Sequence, residues 1–227
     1  KTWMGGGGVR KAYAFGLVLV FLLLSGCTGK EEQKPHQASA LLMDTVVNIK
    51  AYGESSSQTS EQALDFVKRL DSLLDRYDKN SDISRINAMA GEGPVQVDDL
   101  TLDLIGEAVS YGDLTKGALD ITMGPLVDLW NIPDPDNRRV PHREEINEKL
   151  KLVNYRQVVL DKERSMVYLP YKGAGLDLGS VAKGFATRCL AEMLRGKGVR
   201  SALISLGGNI YAMGSKPGGE PWQIAIQ

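Results

Sequence analysis

Apolar and polar positions alternate along the chain in ways that mark out its elements. Val47, Ile49 and Ala51 sit around Asn48 and Lys50, the period-two pattern of a half-buried strand, and Gly53 closes it. Thr59-Ser-Glu-Gln62 reads as a capping box. Behind it Ala63, Phe66, Val67, Leu70, Leu73 and Leu74 recur at helical spacing and give one apolar face. A polar turn from Tyr77 to Asp82 leads into a short apolar stretch, Ile83 to Asn87. A second helix is expected to start near Asp98 and to use Leu100, Leu104, Ala108 and Tyr111. Val158–Leu160 and Met166–Leu169, separated by Asp-Lys-Glu-Arg, predict a hairpin. Val181 to Leu194 predicts a helix that buries Val181, Ala182, Phe185, Ala186, Cys189, Leu190, Met193 and Leu194, with Gly196 and Gly198 ending it. Val199–Leu206 reads as a buried strand and Trp222–Ile226 as an alternating one. Interspersed strands and helices with a hairpin predict an α+β fold. A chain that begins at Lys1, with Met4 close behind, and stops inside a strand pattern is expected to be a fragment of a longer protein.

The N-terminus carries a different pattern. Lys1, Arg10 and Lys11 form a positive segment, and Ala12 to Leu24 is uncharged, mostly apolar and short for a bilayer span. It ends in Leu24-Ser25-Gly26-Cys27, the lipobox order of an aliphatic residue, small residues and cysteine. Residues 1–27 are therefore expected to be a lipoprotein signal peptide ending at lipidated Cys27. The alternative is an ordinary signal peptide or membrane anchor with a chance cysteine. Residues 28–39 are polar and are expected to form a flexible tether, and 40–227 the folded domain. The expected location is the cell membrane, anchored by lipid and facing the extracellular side or the periplasm. Of the two cysteines, Cys189 is then left without a partner, as a buried free thiol on its helix.

Charge narrows the function classes. Lys and Arg number 27 against 28 Asp and Glu, a net charge of −1, which gives no electrostatic case for nucleic acid. With 43% hydrophobic residues the chain can bury a core.

Three clusters carry candidate chemistry. Gly175-Leu-Asp-Leu-Gly-Ser-Val-Ala-Lys-Gly184 leads from a short strand into a helix, where exposed amides, Ser180 and Lys183 make a phosphate site plausible. Asp177 suits an anion site poorly unless it accepts hydrogen bonds from a base or helps to hold a cation. The other reading makes Asp177 an N-terminal helix acid and the glycines packing devices. Gly117-Ala-Leu-Asp-Ile-Thr-Met-Gly-Pro-Leu126 reads, taken alone, as a strand-to-turn transition with Asp120 as a cap. Ser205-Leu-Gly-Gly-Asn209 ends a buried strand, and its glycines let a ligand or a neighbouring chain approach the backbone. His142 reads as solvated surface at the start of a polar helix, and His36 lies in the tether.

Met43-Asp-Thr45, Leu74-Asp-Arg-Tyr77 with Ser84-Arg-Ile-Asn87, the two glycine-rich clusters that hold Asp120 and Asp177, and Ser205–Asn209 follow one another in this order. That order resembles the ApbE family, FAD:protein FMN transferases formerly called thiamine-biosynthesis lipoproteins, from about residue 40 to the end. The resemblance implies an α+β, T-fold-like domain of mixed sheets with flanking helices. It implies Mg²⁺-dependent transfer of FMN from FAD to a Thr or Ser hydroxyl of an acceptor protein, with AMP released. The acceptor would be a subunit of a membrane redox complex of the Rnf or Nqr kind. It further implies that Met43, Tyr77, Ala118, Leu119, Asp120, Asp177 and Lys183 contact FAD and that Ser180 is a metal ligand. Ser180 stands where some members have Thr, and Lys183 where others have Glu. The family's C-terminal third, with its His-x-x-Asp-Pro-x-x-Gly-type motif and the Asp and Thr that complete the metal site, is expected to be missing, and the catalytic base with it. FAD hydrolysis to FMN and AMP, and a non-enzymatic flavin- or solute-binding lipoprotein, are the alternatives.

Overall fold

The computed structural model describes residues 34–132 and 134–225. The expected signal peptide with Cys27, and residues 28–33 of the expected tether, lie outside the described residues.

Strands β1 (His36–Leu42) and β2 (Thr45–Tyr52) form an antiparallel hairpin that pairs Leu42 with Thr45. Residues 36–39 are therefore strand, not tether. Their apolar content is low because β1 is an edge strand, and it buries only one residue, Ala38, fully. The partners of β2 across the sheet lie far along the chain, in β6 (Ser201–Leu206), which in turn pairs with β7 (Asn209–Met213). The resulting sheet has the order β1-β2-β6-β7 and is antiparallel throughout. Val47, Ile49 and Ala51 of β2 and Ala202, Ile204 and Leu206 of β6 all point to one buried face, as the alternation predicts.

Two helices cover that face. In α1 (Ser56–Leu74), Ala63, Val67, Leu70 and Leu74 are buried, while Phe66 and Leu73 pack at the margin. The helix starts before the expected capping box. Gly53, at φ +117°, turns the chain, and the Ser56 hydroxyl donates to its carbonyl at 2.7 Å, so Thr59 lies buried inside the helix. In α6 (Ala182–Gly196), Phe185, Ala186, Leu190 and Leu194 are buried. Gly196 is its last residue, and Gly198, at φ +82°, supplies the left-handed stop. Cys189 is a free thiol and half-buried, and burial pushes its pKa up.

Between α1 and α6 run α2 (Asp82–Ala88), β3 (Val95–Gln96), α3 (Asp99–Leu114), α4 (Gly124–Trp130), α5 (Arg143–Leu150), β4 (Val159–Asp161) and β5 (Met166–Tyr168). The expected hairpin is β4 and β5, joined by β3 into a second antiparallel sheet of order β3-β5-β4. Helix α3 begins behind Asp98, whose side chain accepts from Leu100 N at 3.0 Å; Leu104 and Ala108 are buried, whereas Tyr111 is exposed. His142 caps α5 and is exposed, as expected. No strand forms at 117–122 or at 174–178. Residues 222–225 are not strand either; Trp222 instead packs on Tyr52, ring centroids 5.9 Å apart, and donates its indole N–H to the Met213 carbonyl. The fold is α+β. No helix among the described residues is long and apolar enough to cross a membrane.

Candidate functional site

A hairpin turn, the end of one helix and the start of another converge on a cleft of about 260 Å³. The turn is Met43-Asp44, both at positive φ, +54° and +55°. A two-residue link between paired strands demands such a conformation, which glycine and asparagine adopt most readily. A methionine held there stores backbone strain of about 1 kcal/mol or more. Met43→Gly relieves that strain but frees the unfolded chain and removes the packing of Met43 on the core, so the unfolding free energy is expected to change by less than about 1 kcal/mol. Urea unfolding of the wild type and the variant checks the balance.

The C-terminal end of α1 contributes Asp71, Leu74, Asp75, Arg76 and Tyr77. Asp75 stops the helix, and its carboxylate accepts from Tyr77 N at 2.8 Å, which swings the Tyr77 ring outward. That ring is 56% exposed, leaving a face free for a planar ligand. Partial burial, reinforced by Asp128, Asp177 and Asp75 and opposed by Arg76, raises the Tyr77 pKa, so the phenol is neutral near pH 7.

The third wall is the segment before α6, with Asp177, Leu178, Gly179, Ala182 and Lys183. It is irregular but firmly held. Asn87 of α2 accepts from Leu176 N at 2.7 Å and donates to Leu176 O at 3.0 Å, as a strand neighbour would. Asp177 N donates to Ile121 O at 2.8 Å and Gly124 N to Gly175 O at 3.2 Å. Asp177 then uses one carboxylate oxygen for Gly179 N, at 3.0 Å, and the other for Arg76, at 2.9 Å. The first turn of α6 is tied from its far side by Asn209, which donates to Lys183 O at 3.2 Å and to the Thr187 hydroxyl at 3.0 Å. The Ser205–Asn209 cluster thus acts through Asn209. Its glycines, at φ +56° and +90°, form the two-residue β6–β7 turn, and Thr45 crowds Gly207.

Met43, Tyr77, Asp177 and Lys183, from distant parts of the chain, therefore meet in one cleft. Ala118, Leu119, Asp120 and Ser180 do not line it. Leu119 and Ser180 share a second, more apolar cleft of about 400 Å³ with Tyr111, Val181, Phe185 and Arg188. Asp120 is turned to the protein: one oxygen accepts from Thr122 N and the Thr122 hydroxyl, the other from Tyr155 N. These bonds brace the loop, close to the capping role read from the cluster alone. Ser180 is exposed, and among the described residues no group of three or more His, Cys, Asp or Glu is arranged to hold a metal ion. Ser180 offers one oxygen, and magnesium completes its octahedron with waters, carboxylates and substrate phosphates, so the described residues supply at most part of a magnesium site.

Arg76 escaped the sequence reading, though it lies within a quoted motif. Its guanidinium engages Asp177, and it also grips both oxygens of Asp128 at 2.9 and 3.0 Å. Its partners lie 52 and 101 residues away in the chain, so no local pattern signals the contact.

An antiparallel α+β domain with an aromatic ring, cations and carboxylates around a cleft at a helix start is suited to a nucleotide-like ligand. The chain belongs to the ApbE family, whose model matches residues 43–227. It is 32% identical over 211 residues to the FAD:protein FMN transferase of Vibrio cholerae serotype O1, covering 91% of this chain and 62% of that protein. It is 29% identical to the Haemophilus influenzae protein of the same name, covering 93% and 64%. A crystal structure of the ApbE protein from Thermotoga maritima is similar with a TM-score of 0.76 at 30% identity, covering 83% of this chain and 62% of that one. The flavin transferase ApbE from Vibrio cholerae gives 0.77 at 28% identity, covering 86% and 64%. The chain thus spans less than two thirds of the length of these relatives.

Proposed function

We propose that this protein transfers FMN from FAD to a Thr or Ser hydroxyl of an acceptor protein. The acceptor oxygen bonds to the phosphorus on the FMN side, the pyrophosphate bond breaks, AMP leaves and the hydroxyl proton is released. The observation that carries the reading is the convergence of Met43, Tyr77, Asp177 and Lys183 on one cleft, together with relatives that bear this activity in their names.

Each side chain has a task that its chemistry suits. Tyr77 offers a neutral ring face for the isoalloxazine, and Met43 a polarisable contact beside it. Lys183, in the first turn of α6, offers charge to a phosphate near the positive end of the helix dipole. Asp177, accepting from Gly179 N, holds the turn that leads into α6 and Lys183. Leu119 and Ser180 belong to the neighbouring cleft, within which the remainder of FAD would have to extend, because 260 Å³ holds a ring system rather than a whole dinucleotide. Magnesium dependence belongs to the reading on family grounds, with Ser180 as a single oxygen ligand.

The lipobox at Leu24–Cys27 supports lipid anchoring at Cys27 on the outer side of the cytoplasmic membrane. A subunit of an Rnf- or Nqr-like redox complex is the acceptor that fits this location. The test is incubation with FAD, Mg²⁺ and a Ser/Thr acceptor peptide, read by mass spectrometry. A covalent FMN adduct that EDTA abolishes is expected. FAD breakdown with an unmodified peptide would make the protein a hydrolase, and tight FAD binding without turnover a flavin-binding lipoprotein.

A further inference from the structure

The cleft is acidic for a site offered to a pyrophosphate. Asp44, Asp71, Asp75 and Asp177 line it, against Arg76 and Lys183 alone. An unbalanced carboxylate at the start of α6 would repel an incoming phosphate, and Asp177 stands there. Arg76 answers that charge. Its side chain is 11% exposed, Asp177 23%, and their 2.9 Å contact is sheltered from the screening that weakens surface pairs. The other arm of the guanidinium holds Asp128, which at 62% exposed keeps its own hydration. Arg76 thus ties the end of α1 to the Asp177 turn and to α4 at once, and it lies over the Tyr77 ring at 5.4 Å.

We infer that Arg76 is a positioning residue that sets the preference of the cleft for phosphate-bearing flavins: it fixes the Asp177 turn and cancels the Asp177 charge beside the phosphate path. This rests on the flavin reading above. Asp177 is then a brace whose negative charge is tolerated only because Arg76 faces it. Removing Arg76 leaves the brace charged and unmatched, and it penalises FAD far more than uncharged riboflavin. Removing both charges lifts the penalty, because the side-chain amide that Asp177→Asn introduces still accepts from Gly179 N.

The test is titration of the full chain with FAD and with riboflavin, followed by quenching of flavin fluorescence, in the wild type, Arg76→Gln and Arg76→Gln/Asp177→Asn. Arg76→Gln is expected to weaken FAD by about tenfold or more and riboflavin by less than about threefold. The double variant is expected to recover most of the FAD affinity, and retained riboflavin binding reports an intact site. Equal losses for the two flavins, unchanged FAD binding, or a double variant no better than the single one would each overturn the inference. A wild type that binds neither flavin would overturn the flavin reading itself, and the inference with it.

Discussion

Asp82→Ala is expected to lower the free energy of unfolding by about 3 kcal/mol, with an unchanged m-value in urea. Asp82 is 3% exposed at the start of α2. One oxygen accepts from Asp98 N at 2.8 Å and from the Thr101 hydroxyl at 2.7 Å, and the other pairs with Arg85. Alanine leaves two donors at the α3 start without a partner, each costing about 1–3 kcal/mol. Arg85, by contrast, is 43% exposed in its side chain and rehydrates. Asp82→Asn keeps one acceptor oxygen and is expected to cost less than alanine, an ordering that a helix-propensity effect does not produce.

Gly124→Ala is expected to cost about 2–3 kcal/mol and to weaken flavin binding as well. A Cβ at Gly124 would sit 2.7 Å from Gly175 O and 2.8 Å from Gly175 C, both backbone atoms that cannot rotate away. The segment displaced is the one that carries Asp177 and that Gly124 N itself holds. Stability and affinity therefore fall together. At Gly184, within α6, a Cβ meets nothing within 4 Å, and Gly184→Ala serves as the comparison, expected to stabilise by up to about 1 kcal/mol through helix propensity. Equal effects at the two positions would contradict the close-contact explanation.

The elements read well where burial imposed a period. The α1 stripe and the alternation in β2 appear in the structure because each faces the core along its whole length. β1 stayed hidden because an edge strand needs few apolar residues, and β3 because it spans only Val95–Gln96. The α1 start was misread because Thr59 and Gln62 imitate a cap, whereas the turn at Gly53 sets the boundary. Of the residues that the ordered motifs single out, the cleft unites Met43, Tyr77, Asp177 and Lys183, whereas Ala118, Leu119, Asp120 and Ser180 lie outside it. The pairing of Arg76 with Asp177 and Asp128, and that of Asn209 with the α6 turn, were not legible, since tertiary contacts across many residues leave no mark on local sequence.

On the flavin-transferase proposal, the cleft between the β1–β2 turn, the end of α1 and the start of α6 seats the flavin. FAD titration of the wild type against Tyr77→Ala, followed by flavin fluorescence, distinguishes this cleft from any other seat. Tyr77 is exposed enough that its removal leaves unfolding nearly unchanged, so an altered affinity reports the site alone. Tyr77→Ala is expected to bind FAD roughly tenfold more weakly for want of the ring face, about 1.4 kcal/mol. Undiminished FAD affinity in Tyr77→Ala would place the flavin elsewhere.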